Sequence, residues 1–131
     1  MNNNDIKDFL IINCTGTNDS IGLKINSNFI IHKLQTKIKE SHNLVSTIDN
    51  FIKNNKIILN SQFSVLVNLG PGSFSSIRSS IAIAKGIQIS KKLKIYGYKD
   101  FDLSEFNLRN IELLIEKKLL ENKLIKPVYI S

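Results

Sequence analysis

The spacing of apolar positions changes along this chain, and each change marks an element. Residues 1–8 are polar and are expected to form a flexible N-terminus. "FLIINC" (9–14) is a continuous apolar run of strand length, the pattern of a strand covered on both faces. "SIGLKIN" (20–26) sets Ile21, Leu23 and Ile25 against Gly22 and Lys24, as a half-buried strand does. "FIIHKL" (29–34) reads as a third strand. The stretches between them, "TGTND" (15–19) and "NSN" (26–28), are short and have turn composition, so the three strands read as an antiparallel meander.

The period then becomes helical. Behind Ser41, a candidate N-cap, Leu44, Val45, Ile48, Phe51 and Ile52 recur at helical intervals and predict a helix over 41–55. "FSVLVNL" (63–69) predicts a buried strand. Residues 73–90 predict a second helix, with Phe74, Ile77, Ile81, Ala84 and Gln88 near heptad spacing and Ile83 and Ile87 widening the apolar face. "KIYGY" (94–98) is a short strand. Residues 103–122 predict a third helix capped by Ser104, with Leu108, Ile111, Leu114 or Ile115, and Leu119 on one face. "PVYIS" (127–131) predicts a closing strand with Pro127 at its start or edge. The order β-β-β-α-β-α-β-α-β predicts an α/β fold, a mixed sheet with helices on its faces. With no repeat, linker or compositional break, 9–131 is expected to be a single domain.

Composition narrows this only a little. At 131 residues, 42% hydrophobic and 22% charged, the chain suits one globular domain. The net charge of +7 permits contact with nucleic acid or an acidic partner. The lysines are scattered, however, with the densest patches at 90–99 and 116–126, as a solvated basic surface also shows. The single cysteine, Cys14, lies in an apolar run; it is expected to be buried and inert, and it suits a reducing compartment. The N-terminus has no basic region ahead of a signal-length apolar run, and no apolar stretch approaches the roughly 20 residues of a membrane span. A cytoplasmic protein without membrane contact is expected.

The candidate chemistry centres on "VNLGPGSFSSIRSSIAIAKG" (67–86), a strand end feeding a glycine turn and a helix. A phosphate-binding P-loop needs a lysine directly after its last glycine; here Lys85 lies about three turns down the helix. The dinucleotide fingerprint fails as well, because Ser75 or Ser76 stands where its third glycine belongs. A structural turn accounts for the residues: Gly70 and Gly72 permit unusual backbone angles, Pro71 stiffens the turn and Ser73 can cap the helix. The loop still offers a helix N-terminus at which an anion can dock. Ser75, Ser76, Ser79, Ser80, Ala82, Ala84 and Gly86 make the helix small-sided, which allows close approach either within the chain or by a partner helix. Arg78, in its midst, either pairs with a carboxylate across an interface or is simply exposed. His32 and His42 lack metal-ligand spacing, and no catalytic constellation emerges from the pattern.

"LGPGSFSSIRSSIAIAKGI" resembles the G-P-G-S-F-T-G-L-R-x-G-x-x-x-A-K-G-L signature of the TsaB (YeaZ) family. "FLIINCTGTNDSIGL", "ESHNLVSTIDNFIKNN", "LKIYGYKDFDL" and the closing "KPVYIS" resemble that family's other segments in order. The resemblance implies an actin-like (ASKHA, ribonuclease H-like) fold, here the first lobe alone, with most of the second replaced by the helix at 103–122. It implies a non-catalytic subunit in the synthesis of threonylcarbamoyladenosine next to the tRNA anticodon, with no cofactor and no metal. Its partner would be a TsaD-like transferase in a heterodimer, to which a TsaE-like ATPase is recruited. The tRNA would be reached through that complex, and a homodimer could form without the partner. The interface would use the helices after the meander and after the glycine turn: Leu44, Ile48 and Phe51, with Ser75, Ser76, Arg78, Ser79, Ala82, Ile83 and Gly86. Two substitutions depart from the family pattern: Asn13 replaces the usual Asp of the opening strand, and Ser75-Ser76 replaces Thr-Gly. Two alternatives remain beside this reading, a small nucleotide-binding ATPase using the GPGS loop and a basic tRNA-binding module.

Overall fold

A computed structural model describes residues 6–34, 41–122 and 125–128. Five strands form one sheet: β1 (Asp8–Asn13), β2 (Ser20–Ile25), β3 (Asn28–Lys33), β4 (Phe63–Asn68) and β5 (Lys94–Tyr98), in the order β3-β2-β1-β4-β5. The meander forms as its short turns require, with β1–β2 and β2–β3 antiparallel. Asn18 and Asn26 in these turns take positive φ, a conformation asparagine tolerates better than most residues. The remaining pairs, β1–β4 and β4–β5, are parallel, because each connection is long enough to carry a crossover helix.

α1 (Ser41–Asn54) and α2 (Phe74–Lys91) cover one face of the sheet, and α3 (Leu108–Glu116) covers the other. Strand alternation divides the core accordingly. Leu10, Ile12, Val65 and Val67 point towards α1 and α2, where they meet Ile48, Phe51, Ile77 and Ile81. Phe9, Ile11, Leu66, Tyr96 and Tyr98 point the other way, onto Ile111, Leu114 and Ile115. β1 lies between two partners and is covered on both faces, which explains why its apolar run is unbroken.

Several boundaries differ from the sequence expectation. β1 begins at Asp8, and Ile6 packs on the α3 side of the core; of the expected flexible N-terminus, residues 1–5 lie outside the described residues. Ser41 opens α1 as expected, but its side chain and that of His42 lie outside the described part. α3 is much shorter than 103–122. Its cap is Asn107, in extended conformation, whose side chain accepts the Asn110 N–H at 2.8 Å; Ser104 lies ahead of the helix. It stops because Lys118 takes positive φ and the chain turns back to pair Glu121 with Gly97 of β5 through two hydrogen bonds of 2.8 and 2.7 Å. Backbone pairing with the sheet edge thus replaces the last helical turns, and Leu119 falls outside the helix. Of the expected closing strand, Val128 donates one backbone hydrogen bond to Leu69 O at 2.7 Å, no strand is assigned at 127–128, and 129–131 lie outside the described residues.

Candidate functional site

β1, β4 and β5 end side by side, and the glycine turn sits over their ends. Gly70 has φ +94, and a side chain there would lie 2.6 Å from Ile77 Cδ1. At Gly72 an added Cβ would meet Thr15 Cβ at 2.7 Å and Thr15 O at 2.9 Å. The turn therefore needs glycine at both places, once for backbone angle and once for close approach to the loop after β1. The Gly70–Pro71 peptide is cis.

Beneath the turn lies a polar network that ties the three strand ends together. Asn68, fully buried at the end of β4, donates through Nδ2 to Asn13 Oδ1 (2.8 Å) and to Asp100 Oδ1 (3.0 Å). Its Oδ1 accepts the Gly70 N–H at 2.8 Å. Tyr98 donates its hydroxyl to Asn13 Oδ1 at 2.7 Å, and the Asp100 N–H bonds to Gly70 O at 2.8 Å. Asp19 holds the other loop, accepting the Thr15 and Gly16 N–H groups at 2.9 and 2.8 Å. Every described buried side-chain polar atom has a partner.

This arrangement ties the turn to β1, β4 and β5 and takes up part of its hydrogen-bonding capacity. Of the turn's amides, Gly70 is bonded to Asn68 and Ser73 to Thr15 O at 2.7 Å, and Pro71 has none. Ser73 stands at the N-cap position of α2, but its side chain makes no capping hydrogen bond, contrary to expectation; the bond to Thr15 fixes its backbone instead. Asn13 accepts on its oxygen from Tyr98 and Asn68. Among the described residues no group of three or more His, Cys, Asp or Glu could hold a metal ion. Burial, with the nearby Asp19 charge, pushes the Cys14 thiol up to about 12, so it is protonated and unreactive near neutral pH, in keeping with the expected inert thiol. Burial likewise raises the Tyr98 phenol, reinforced by the charges of Cys14 and Asp100. Sequence reasoning missed Asn68, Tyr98 and Asp100. Only Asn68 left a signal, as a polar residue closing a buried strand that is apolar but for Ser64.

The small-sided α2 divides its small residues between two faces. Ser80 and Ala84 are fully buried against the sheet, and Ser80 Oγ donates to Ser76 O at 2.8 Å. Ser75, Ala82 and Gly86 are exposed, Ser76, Ser79 and Ile83 are half-buried, and nothing lies within 4 Å of where a Gly86 side chain would begin. Arg78 is exposed and stacks over Phe74, its guanidinium carbon 5.0 Å from the ring centroid. On α1, Leu44 is half-buried, but Ile48 and Phe51 are 2% and 7% exposed. These two expected interface residues instead belong to the core, because the helical period turns them towards the sheet. Between the outer sides of α1 and α2 runs an apolar groove of about 440 Å³, lined by Val45, Ile52, Ile57, Ile58, Ile83 and Ile87 among others. Val45 (54%) and Ile58 (80%) stand exposed on its walls, and Ile89 (77%) lies exposed near the end of α2.

An antiparallel meander continued by two parallel crossover strands, with helices on both faces, defines an α/β protein of the actin-like (ribonuclease H-like) class. No family model matches the chain. Over 70 residues it is 34% identical to a protein of Buchnera aphidicola subsp. Schizaphis graminum named tRNA threonylcarbamoyladenosine biosynthesis protein TsaB, a match covering 52% of this chain and 33% of that protein. Its fold is similar to YeaZ from Pseudomonas aeruginosa, with TM-score 0.65 and 17% identity over 75% of this chain and 46% of the other. A second Pseudomonas aeruginosa structure, described as similar to peptidase YeaZ, matches with the same score and identity and 45% of its length covered. The chain spans about a third of the curated relative it matches and under half of the solved structures it resembles.

Proposed function

We propose that the chain is a non-catalytic subunit in tRNA threonylcarbamoyladenosine synthesis that docks on a TsaD-like transferase through the outer sides of α1 and α2. The name of the Buchnera relative supports the pathway. The observation that carries the docking surface is the groove between the two helices. Exposed Val45 and Ile58 wall it, and it adjoins the open side of α2 at Ala82 and Gly86. Small residues beside an apolar groove let a second helix approach closely and bury those side chains on association. The surface accordingly comprises Leu44, Val45, Ser75, Ser79, Ala82, Ile83 and Gly86. A TsaE-like ATPase would join the assembled pair, tRNA would be reached through it, and the same surface could pair two copies of this chain.

Co-purification with a TsaD-like subunit tests the proposal. Gly86→Leu and Ala82→Trp are expected to lower recovery of the partner at least tenfold while leaving the isolated chain folded. Undiminished recovery with both variants rejects this surface. Against the ATPase alternative stand the lack of a lysine directly after the turn and the Gly70 and Ser73 N–H groups already bonded to Asn68 and Thr15.

A further inference from the structure

The crossover topology places the ends of α1 and α2 and the starts of β4 and β5 at the same end of the sheet, opposite the glycine turn. Lysines converge there from separate segments. Lys53 closes α1 and Lys56 follows it in the turn, Lys91 and Lys92 close α2, and Lys94 opens β5 directly opposite Ser64 of β4. All five are exposed. The groove between the helices reaches them, since Lys53 and Lys91 both line it. Only Lys53 has an ion-pair partner among the described residues, the exposed Asp49 at 2.9 Å. The neighbouring side chains on the loop into β4 are neutral: Asn60, Ser61 and Gln62 are exposed. In sequence Lys91, Lys92 and Lys94 fall in the dense patch at 90–99 while Lys53 and Lys56 stand apart; the fold brings both sets to one end.

We infer that this end of the sheet is an RNA-backbone contact, in which Lys53, Lys56, Lys91, Lys92 and Lys94 neutralise successive phosphates. Lysines bind phosphate as point charges without needing a planar partner. Spread over four segments, with neutral Asn60, Ser61 and Gln62 beside them and the carboxylates Asp49 and Asp8 at the same end, these five lysines suit an extended polyanion better than a single small anion. The choice of RNA over an acidic protein rests on the tRNA-modification reading above. In place of indirect contact alone, it gives this chain its own grip on the nucleic acid.

The test uses the full chain alone and unmodified tRNA transcript, with binding followed by fluorescence anisotropy between about 50 and 200 mM salt. Lys56, Lys92 and Lys94 are chosen because they do not line the groove. The triple variant Lys56→Gln, Lys92→Gln, Lys94→Gln is compared with Lys99→Gln, Lys117→Gln, Lys118→Gln, which has the same net charge. The first set is expected to weaken binding at least tenfold and to reduce the slope of log affinity against log salt by about 2 to 3. The control set is expected to change affinity less than threefold. Equal weakening by both sets overturns the assignment, as does displacement of the RNA by polyglutamate at equal charge concentration. Both triple variants should still recover the TsaD-like partner, so a failure here is distinguishable from a failure of the docking surface.

Discussion

At the scale of single residues, the most constrained position is Asn68. It satisfies two side chains and one backbone amide from a site with no access to water. Asn68→Ala leaves the Gly70 N–H without its acceptor and removes one donor each from Asp100 Oδ1 and Asn13 Oδ1, the latter keeping the Tyr98 hydroxyl. Orphaning such groups costs about 1–3 kcal/mol. Asn68→Ala is therefore expected to lower the urea midpoint by an amount equivalent to about 2–3 kcal/mol; a variant as stable as the parent would show that the network is incidental. Cys14 gives a pH-dependent counterpart. Its thiol titrates near 12 when folded and near 9.0 when exposed, so folding favours the protonated form. That contribution is present in full below pH 9 and is lost as the pH rises from 9 towards 12. In urea titrations, the stability advantage of the parent over Cys14→Ala should shrink between pH 8 and pH 10.5. A constant difference would contradict the burial of the thiol.

Among the elements, α2 shows how one composition serves two surfaces. Its inward small residues, Ser80 and Ala84, let the helix lie close on the sheet. Gly86 faces open space, and glycine in an exposed helix interior costs up to about 1 kcal/mol relative to alanine. Gly86→Ala should thus raise the stability of the isolated chain by about 0.5–1 kcal/mol, read from thermal or urea unfolding. A loss of stability would mean that Gly86 has a contact within the chain. α3 carries the opposite lesson. Its apolar positions continue past Glu116, yet the chain leaves the helix at Lys118 to put Glu121 against Gly97. Periodicity reads which face a segment would bury, and cannot weigh that against a bond to a strand edge elsewhere in the molecule.

For the whole molecule, the sheet separates the apolar groove and the basic end from a face that α3 fills. α1, α2 and the turn at Ile57 and Ile58 border the apolar groove proposed to receive a subunit, whereas α3 packs on the other side. Hydrogen exchange measured with and without a TsaD-like partner should show slowed amides in α1, α2 and that turn, with α3 unchanged. Protection confined to α3 would place the partner on the wrong face for the proposal.

Much of this architecture was determined by local pattern. Alternation and short turns determined the meander, and crossover length determined the parallel pairs. The G-P-G spacing determined a stiff strand-to-helix turn, because backbone angle and steric room depend on the residues themselves. Other features depended on segments far apart in the chain. The family resemblance placed Ile48 and Phe51 on a partner surface, and helical period could not correct it, since it identifies an apolar side without saying which of two apolar surfaces covers it. Sequence alone left Tyr98 and Asp100 unremarked, since their partners at Asn13 and Asn68 come from other strands. It showed the patch at 90–99 but not that Lys53 and Lys56 join it at one end of the sheet. Each of these was decided only when the sheet brought β1, β4 and β5 side by side, since hydrogen bonds, burial and electrostatic fields act across space and not along the chain.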